Sequence, residues 1–286
     1  MPAAGLMRGF ERQVQAGLLA LLLLLPLGAS AQSGCPASGT SHATIADIDE
    51  RLEITLRDGR RLRLAGLEPP RPTPDAPDFE TQARDALKAQ AGDEISFVPL
   101  DRPDRWGRIP VFAFFDRQPA ESQSAGVFLL AHGFARYMPE AAARPCRIGF
   151  LGAESGARAA KLGLWRDPFY EVLAPDEREA FTERAATNVI VEGRLQAVIN
   201  GPRRITLAFT PRGEHGFSVT ILQRNVKIFE RAGWDFHALI GRVLRVRGLL
   251  DLRFGPQIEI SDADGMELIP EAQTDRAMGP DAPKPQ

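Results

Sequence analysis

Three short stretches hold the residues best suited to chemistry. They are Arg63-Leu64-Ala65-Gly66-Leu67-Glu68-Pro69-Pro70-Arg71, then Asp104-Arg105-Trp106-Gly107-Arg108, then Ala153-Glu154 with Ala157-Arg158 and Gly163-Leu164-Trp165. Guanidinium forks match phosphate oxygens bidentately and stabilise charge that develops on them. Carboxylates nearby offer oxygen ligands to a hard cation or a base to activate water. Other chemistries find no support. The four histidines, His42, His132, His215 and His237, lack metal-ligand spacing, and there is no G-x-S-x-G, no phosphate-loop motif and no G-x-G-x-x-G between a strand and a helix.

The elements that must position these groups are legible from periodicity. Residues 52–56 and 61–67 flank Asp58-Gly59, a strong hairpin signal, and Leu62 and Leu64 alternate with Arg61 and Arg63. One face of that second strand packs while the other presents guanidinium groups. Residues 95–98 and 109–115 read as strands on either side of the polar turn 101–108. Helical spacing joins Phe79, Ala83, Ala86, Leu87 and Ala91, then Val127, Leu130, Ala131 and Phe134. A third helix over residues 151–162 places Glu154 and Arg158 at i,i+4, where an ion pair is expected. Residues 168–187 turn polar and Pro-punctuated, a linker with room for one helix. Beyond them, runs at 189–198, 205–209, 217–222, 243–250 and 257–260 suit a second small closed barrel.

Composition bounds the class. The 286 residues are 44% hydrophobic and 25% charged with a formal net charge of -2, which excludes a disordered chain and removes any bulk-charge argument for nucleic acid or acidic membranes. Any anion site must be built locally, and 31 of the 35 basic residues are Arg. Residues 1–31 read as an export signal, with Arg8 and Arg12 before an apolar run and Ala29-Ser30-Ala31 for cleavage, so a periplasmic or secreted protein without a membrane span is expected. In that oxidising compartment Cys35 and Cys146 are the two available thiols, and a disulfide between them is the expectation. The competing reading is lipoprotein anchoring through Cys35, preceded by Gln32-Ser33-Gly34, and the two exclude each other. Residues 271–286, Pro-rich and without apolar periodicity, read as a disordered tail.

In order and spacing the three stretches resemble the staphylococcal nuclease-like (thermonuclease) family, whose pattern runs roughly R-L-x-G-I-D-x-P-E, D-x-Y-G-R, A-E-x-x-A-R and a closing G-L-W. The resemblance covers residues 45–167. It implies a five-stranded OB-type barrel with three helices, and attack of water on a phosphodiester assisted by Ca2+, two arginines and a carboxylate base. Carried onto this chain, Arg63 and Arg108 take the arginine positions and Glu68 stands for a metal-binding Asp. Arg71 takes the general-base position, where a guanidinium cannot accept a proton, and Leu52 takes that of a second metal-binding Asp. Asp49, or its neighbours Asp47, Glu50 and Glu53, is the remaining candidate for the metal, and Asp75, Asp78 or Glu80 for the base. Trp106 replaces the family Tyr and either packs or stacks on a base.

Residues 188–270 resemble the OB-fold module found behind some bacterial thermonuclease-like domains, through Gly241-Arg242, Arg245-Val246-Arg247-Gly248 and Gly255-Pro256-Gln257-Ile258-Glu259-Ile260. Arg242, Arg245 and Arg247 could follow a phosphate backbone or form a solvated strand face, and such barrels also bind protein partners. The expectation is thus a mainly β, α+β protein of two OB-type barrels that binds nucleic acid or another phosphodiester ligand with weak or absent hydrolysis. The alternatives are a Ca2+-dependent endonuclease using relocated carboxylates and a periplasmic protein-interaction scaffold.

Overall fold

Alternation of small stretches of apolar residue builds the first core. In β3 (Arg61–Leu64) Leu62 and Leu64 are buried, and the Asp58-Gly59 turn, with Gly59 at φ +87°, returns the chain to it from β2 (Ile54–Leu56). The computed structural model describes residues 35–115, 124–210 and 216–270; the expected signal, the tail and His215 lie outside them. With β1 (Ser41–Ile48), β5 (Glu94–Pro99) and β6 (Arg108–Phe114), these strands close in the order β1-β2-β3-β6-β5, all antiparallel except β3 with β6. This closed five-stranded barrel is consistent with the OB type that the resemblance implies. Its first strand carries mostly small and polar residues, only one of them fully buried, which is why apolar patterning does not reveal it.

Three helices pack against the barrel: α1 (Phe79–Ala91), α2 (Ala125–Ala131) and α3 (Arg147–Ala159). α1 buries Phe79, Ala83, Leu87 and Ala91, the expected face, while α3 begins four residues earlier than its apolar spacing suggests. Phe134 falls outside α2 because the chain turns at Gly133, with φ +69°; a Cβ there would lie 2.2 Å from the Leu162 carbonyl oxygen. Cys35 and Cys146 are disulfide-bonded and buried, fastening the start of the described chain to the entrance of α3. A short ladder of β4 (Leu67–Glu68) with β7 (Arg136–Tyr137) sets Glu68 opposite Arg136.

The second core departs from the expected five-stranded closed barrel. Its strands are β8 (Asn188–Arg194), β9 (Ala197–Asn200), β10 (Arg204–Ala208), β11 (Ser218–Leu222), β12 (Val243–Asp251), β13 (Gln257–Glu259) and β14 (Met266–Ile269). They form one seven-stranded sheet ordered β14-β12-β13-β11-β10-β9, with β8 on β12. The run 189–198 divides at Leu195-Gln196, whose amides bond Arg242 and Ala208 on different neighbours, and residues 266–269 add a strand. β12 pairs with β8 from Val243 to Leu249, with β14 along its first half and with β13 at its end. Two short helices, α4 (Arg178–Glu183) and α5 (Val226–Arg231), contribute Phe181 and Phe229 to this core.

The two cores belong to one compact unit. Residues 168–187 are packed into it: Tyr170, Leu173 and Phe181 are buried, and Arg184 donates to the carbonyls of Pro168 and Phe169. A smaller apolar cluster of Phe79, Ala157, Leu164, Trp165, Tyr170 and Ile190 lies where α1, α3 and β8 meet. Among the described residues no helix is long and apolar enough to cross a membrane.

Candidate functional site

The strand alternation that buries Leu62 and Leu64 turns Arg61 and Arg63 outward, and the parallel β3–β6 register sets Arg61 beside Arg108. Arg108 closes a tight turn. The Asp104 carboxylate accepts the backbone N–H of Trp106 at 2.9 Å and of Arg108 at 3.0 Å, and the Arg108 side chain at 2.9 and 2.8 Å, while Gly107 turns at φ +75°. Desolvation works to raise the Asp104 carboxyl, but the hydrogen bonds from Arg108 and Trp106 outweigh it and hold it at about 2. The same bonds, with Glu53, raise Arg108 above the usual guanidinium range.

Glu53 is the buried hub of this face. Its two oxygens receive Arg61 and Arg108 separately. Arg63 instead forms a two-pronged pair with Glu140, at 3.1 and 3.0 Å, and the Gly66 N–H donates to that carboxylate as well. The two arginines carried over from the family pattern thus sit on adjacent strands but belong to separate carboxylate clusters. Glu140 has no signal in the sequence, because it lies 77 residues from Arg63 in a turn without periodicity.

Glu68 points into the joint between the cores. It accepts Arg136 at 2.8 Å and the Asn188 side-chain amide at 2.8 Å, and Arg136 also donates to the Asn188 carbonyl. Arg71 is exposed, and only its backbone is fixed, by the Tyr170 hydroxyl. The other carboxylates open to the metal are also engaged. Asp49 accepts the N–H groups of Arg51 and Glu53 in the loop that holds Leu52 at φ +59°, Asp47 pairs with Lys88, and Glu50 pairs with Arg84. Asp75 and Asp78 are exposed ahead of α1.

These donor sets do not fit a Ca2+ ion. A hard dication needs six to eight oxygens converging on one point. Here Glu53, Glu68, Asp47 and Glu50 each bind a cationic side chain of the protein, Asp49 caps a turn, and among the described residues no three His, Cys, Asp or Glu gather into a metal-sized group.

The basic strand of the second core is internal rather than open. Arg247 is buried, with Nη1 2.8 Å from Glu154 and Nη2 2.6 Å from Glu267, and it also donates to the Tyr137 carbonyl. Arg245 pairs with Glu192 at 2.6 Å, and Arg242 precedes β12 in a half-buried turn. The expected Glu154–Arg158 pair is not formed. Glu154 lies on the buried face of α3, where Arg247 and the Tyr137 N–H claim it, and the Arg158 guanidinium rests 5.8 Å from the Trp165 ring centre.

Trp106 is the exposed counterpart to this network. It is 56% exposed at the tip of the turn, with the Arg105 guanidinium 4.0 Å and that of Arg108 4.7 Å from its ring centre. Both guanidinium groups lie over the ring, so an unpaired base would stack on Trp106 by displacing one of them, and the displaced cation could then meet a flanking phosphate.

No family model matches the chain, and no curated protein matches it. The class defined by fold and surface is a closed OB-type barrel with an arginine-rich outer face, fused to a seven-stranded sheet.

Proposed function

We propose that the protein binds single-stranded nucleic acid across the outer face of β3 and β6 and does not hydrolyse it. The observation that carries this reading is Trp106, exposed beside Arg105 and Arg108, with Arg61 on the neighbouring strand. Stacking on such a platform is worth roughly 1–3 kcal/mol per base and needs no sequence-specific contact. Phosphates would compete with Glu140 and Asp104 for Arg63 and Arg108, both partly solvent-accessible.

Hydrolysis is disfavoured by the same side chains. Arg71 offers no base, Glu68 is bound to Arg136, and among the described residues no carboxylate set is left for Ca2+. Loss of the base alone removes roughly 10²–10⁴-fold in rate. The endonuclease reading would require Asp75, Asp78 or Glu80 to reach the barrel face, and the scaffold reading would use Trp106 as an anchor for a protein partner instead of a base.

The second sheet is read as an OB-type module whose arginines are committed to structure. Export to an oxidising compartment accords with the Cys35–Cys146 bond, which leaves no Cys35 sulfur for a lipid. The test is fluorescence anisotropy of a labelled oligothymidylate. Trp106→Ala, at an exposed turn, should weaken binding about tenfold with an unchanged fold, and equal binding by this variant would refute the stacking platform.

A further inference from the structure

Away from the barrel face, a cavity of about 710 Å3 opens between the end of α3, residues 171–175, β8 and β12. Its volume lies in the range of small-molecule sites. Trp165, Val243 and Ile269 give it an apolar wall. Arg158 stands at its edge with an unmet demand. Its Nη1 is buried without a hydrogen-bond partner, and so is the Trp165 Nε1. Glu154, one turn earlier, is taken by Arg247, and Glu192 across the cavity is taken by Arg245. Desolvation first, then the like charges of Arg245 and Arg247, push the Arg158 guanidinium below its usual range. A half-buried cation in that condition is stabilised by any anion that enters. Lys161, exposed at the rim and in no ion pair among the described residues, adds a second positive charge.

The geometry points to a binding site for a small molecule that joins one anionic head group to an apolar ring system, the head on Arg158 and Lys161 and the ring against Trp165. Carboxylate and phosphate heads share this chemistry.

The probe is 8-anilinonaphthalene-1-sulfonate, titrated into the full-length protein after signal removal. Saturable binding of one molecule is expected. Arg158→Met should weaken it at least tenfold, Arg158→Lys should recover most of the loss, and Lys161→Gln, an exposed change, should weaken it about threefold. Since Arg158→Met removes an uncompensated charge, its Tm should equal or exceed that of the parent. 1-Naphthoate and 1-naphthyl phosphate should displace the probe, the tighter one identifying the head group, whereas 1-naphthalenemethanol should not. Unchanged affinity in every folded variant, binding that does not saturate, or equal displacement by the uncharged alcohol overturns the site.

Discussion

Arg247 of β12 and Glu154 of α3 meet in the interior, Nη1 to Oε2 at 2.8 Å, with both side chains almost wholly excluded from solvent. The pair joins a helix of the barrel to the central strand of the second sheet. Burial works to lower the Arg247 guanidinium, but Glu154 and Glu267 outweigh it and raise it above its usual range. The interface is therefore fixed by charges that no solvent can replace.

Removing one partner leaves the other buried and uncompensated, at a cost of roughly 3–5 kcal/mol. Arg247→Met should lower the urea midpoint accordingly. Arg247→Met with Glu154→Leu should cost clearly less than the sum of the two single changes, since each single change strands a charge that the double change removes.

Cys35 and Cys146 close a loop across 111 residues of sequence separation. In the chain-entropy account such a loop stabilises by about 4–5 kcal/mol. Cys35→Ser/Cys146→Ser should lose stability on that order in urea unfolding, and reductant should destabilise the parent protein but not the variant.

The Asp104 carboxyl, held at about 2 against an ordinary value of 3.8, carries a signed pH dependence. A depressed folded value stabilises fully above the ordinary value, and the contribution is lost as pH falls through the folded one. The Tm difference between the parent and Asp104→Asn should be constant from neutral pH to about pH 5 and shrink towards pH 2. A difference that does not change with pH would contradict the Asp104–Arg108 clamp.

Glu140 competes with any phosphate for Arg63. Glu140→Gln keeps an oxygen for the Gly66 N–H but removes the charge, so oligonucleotide affinity should rise several-fold and the salt slope should steepen by about one phosphate contact. Unchanged affinity and slope would place Arg63 outside the binding face.

The sequence makes the first barrel legible because its hairpin alternates, Leu62 and Leu64 against Arg61 and Arg63 with Gly59 at the turn, while β5 and β6 stand out as continuous, mostly apolar runs. β1 escapes because His42, Thr44 and Asp47 give it no apolar face of its own. The positions of Arg63, Arg108 and Glu68 follow from local spacing, but their partners do not. Glu140, Arg136 and Asn188 arrive from 68 to 120 residues away, and only closure of the barrel and docking of the second sheet bring them in. Arg247 shows the same limit. On the strand pattern it could serve a solvated face, and only the approach of α3 makes it internal.

Binding without hydrolysis at the Trp106 face can be read in a single experiment. The most direct measurement follows one labelled single-stranded oligonucleotide by anisotropy across a salt series, with and without Ca2+, and then sizes the same oligonucleotide by electrophoresis. The expected result is binding that weakens steeply with salt, is indifferent to Ca2+ and is reduced by Trp106→Ala, with the oligonucleotide recovered intact. Ca2+-dependent shortening of the oligonucleotide that Arg108→Ala abolishes, or no binding even at low salt, would contradict it.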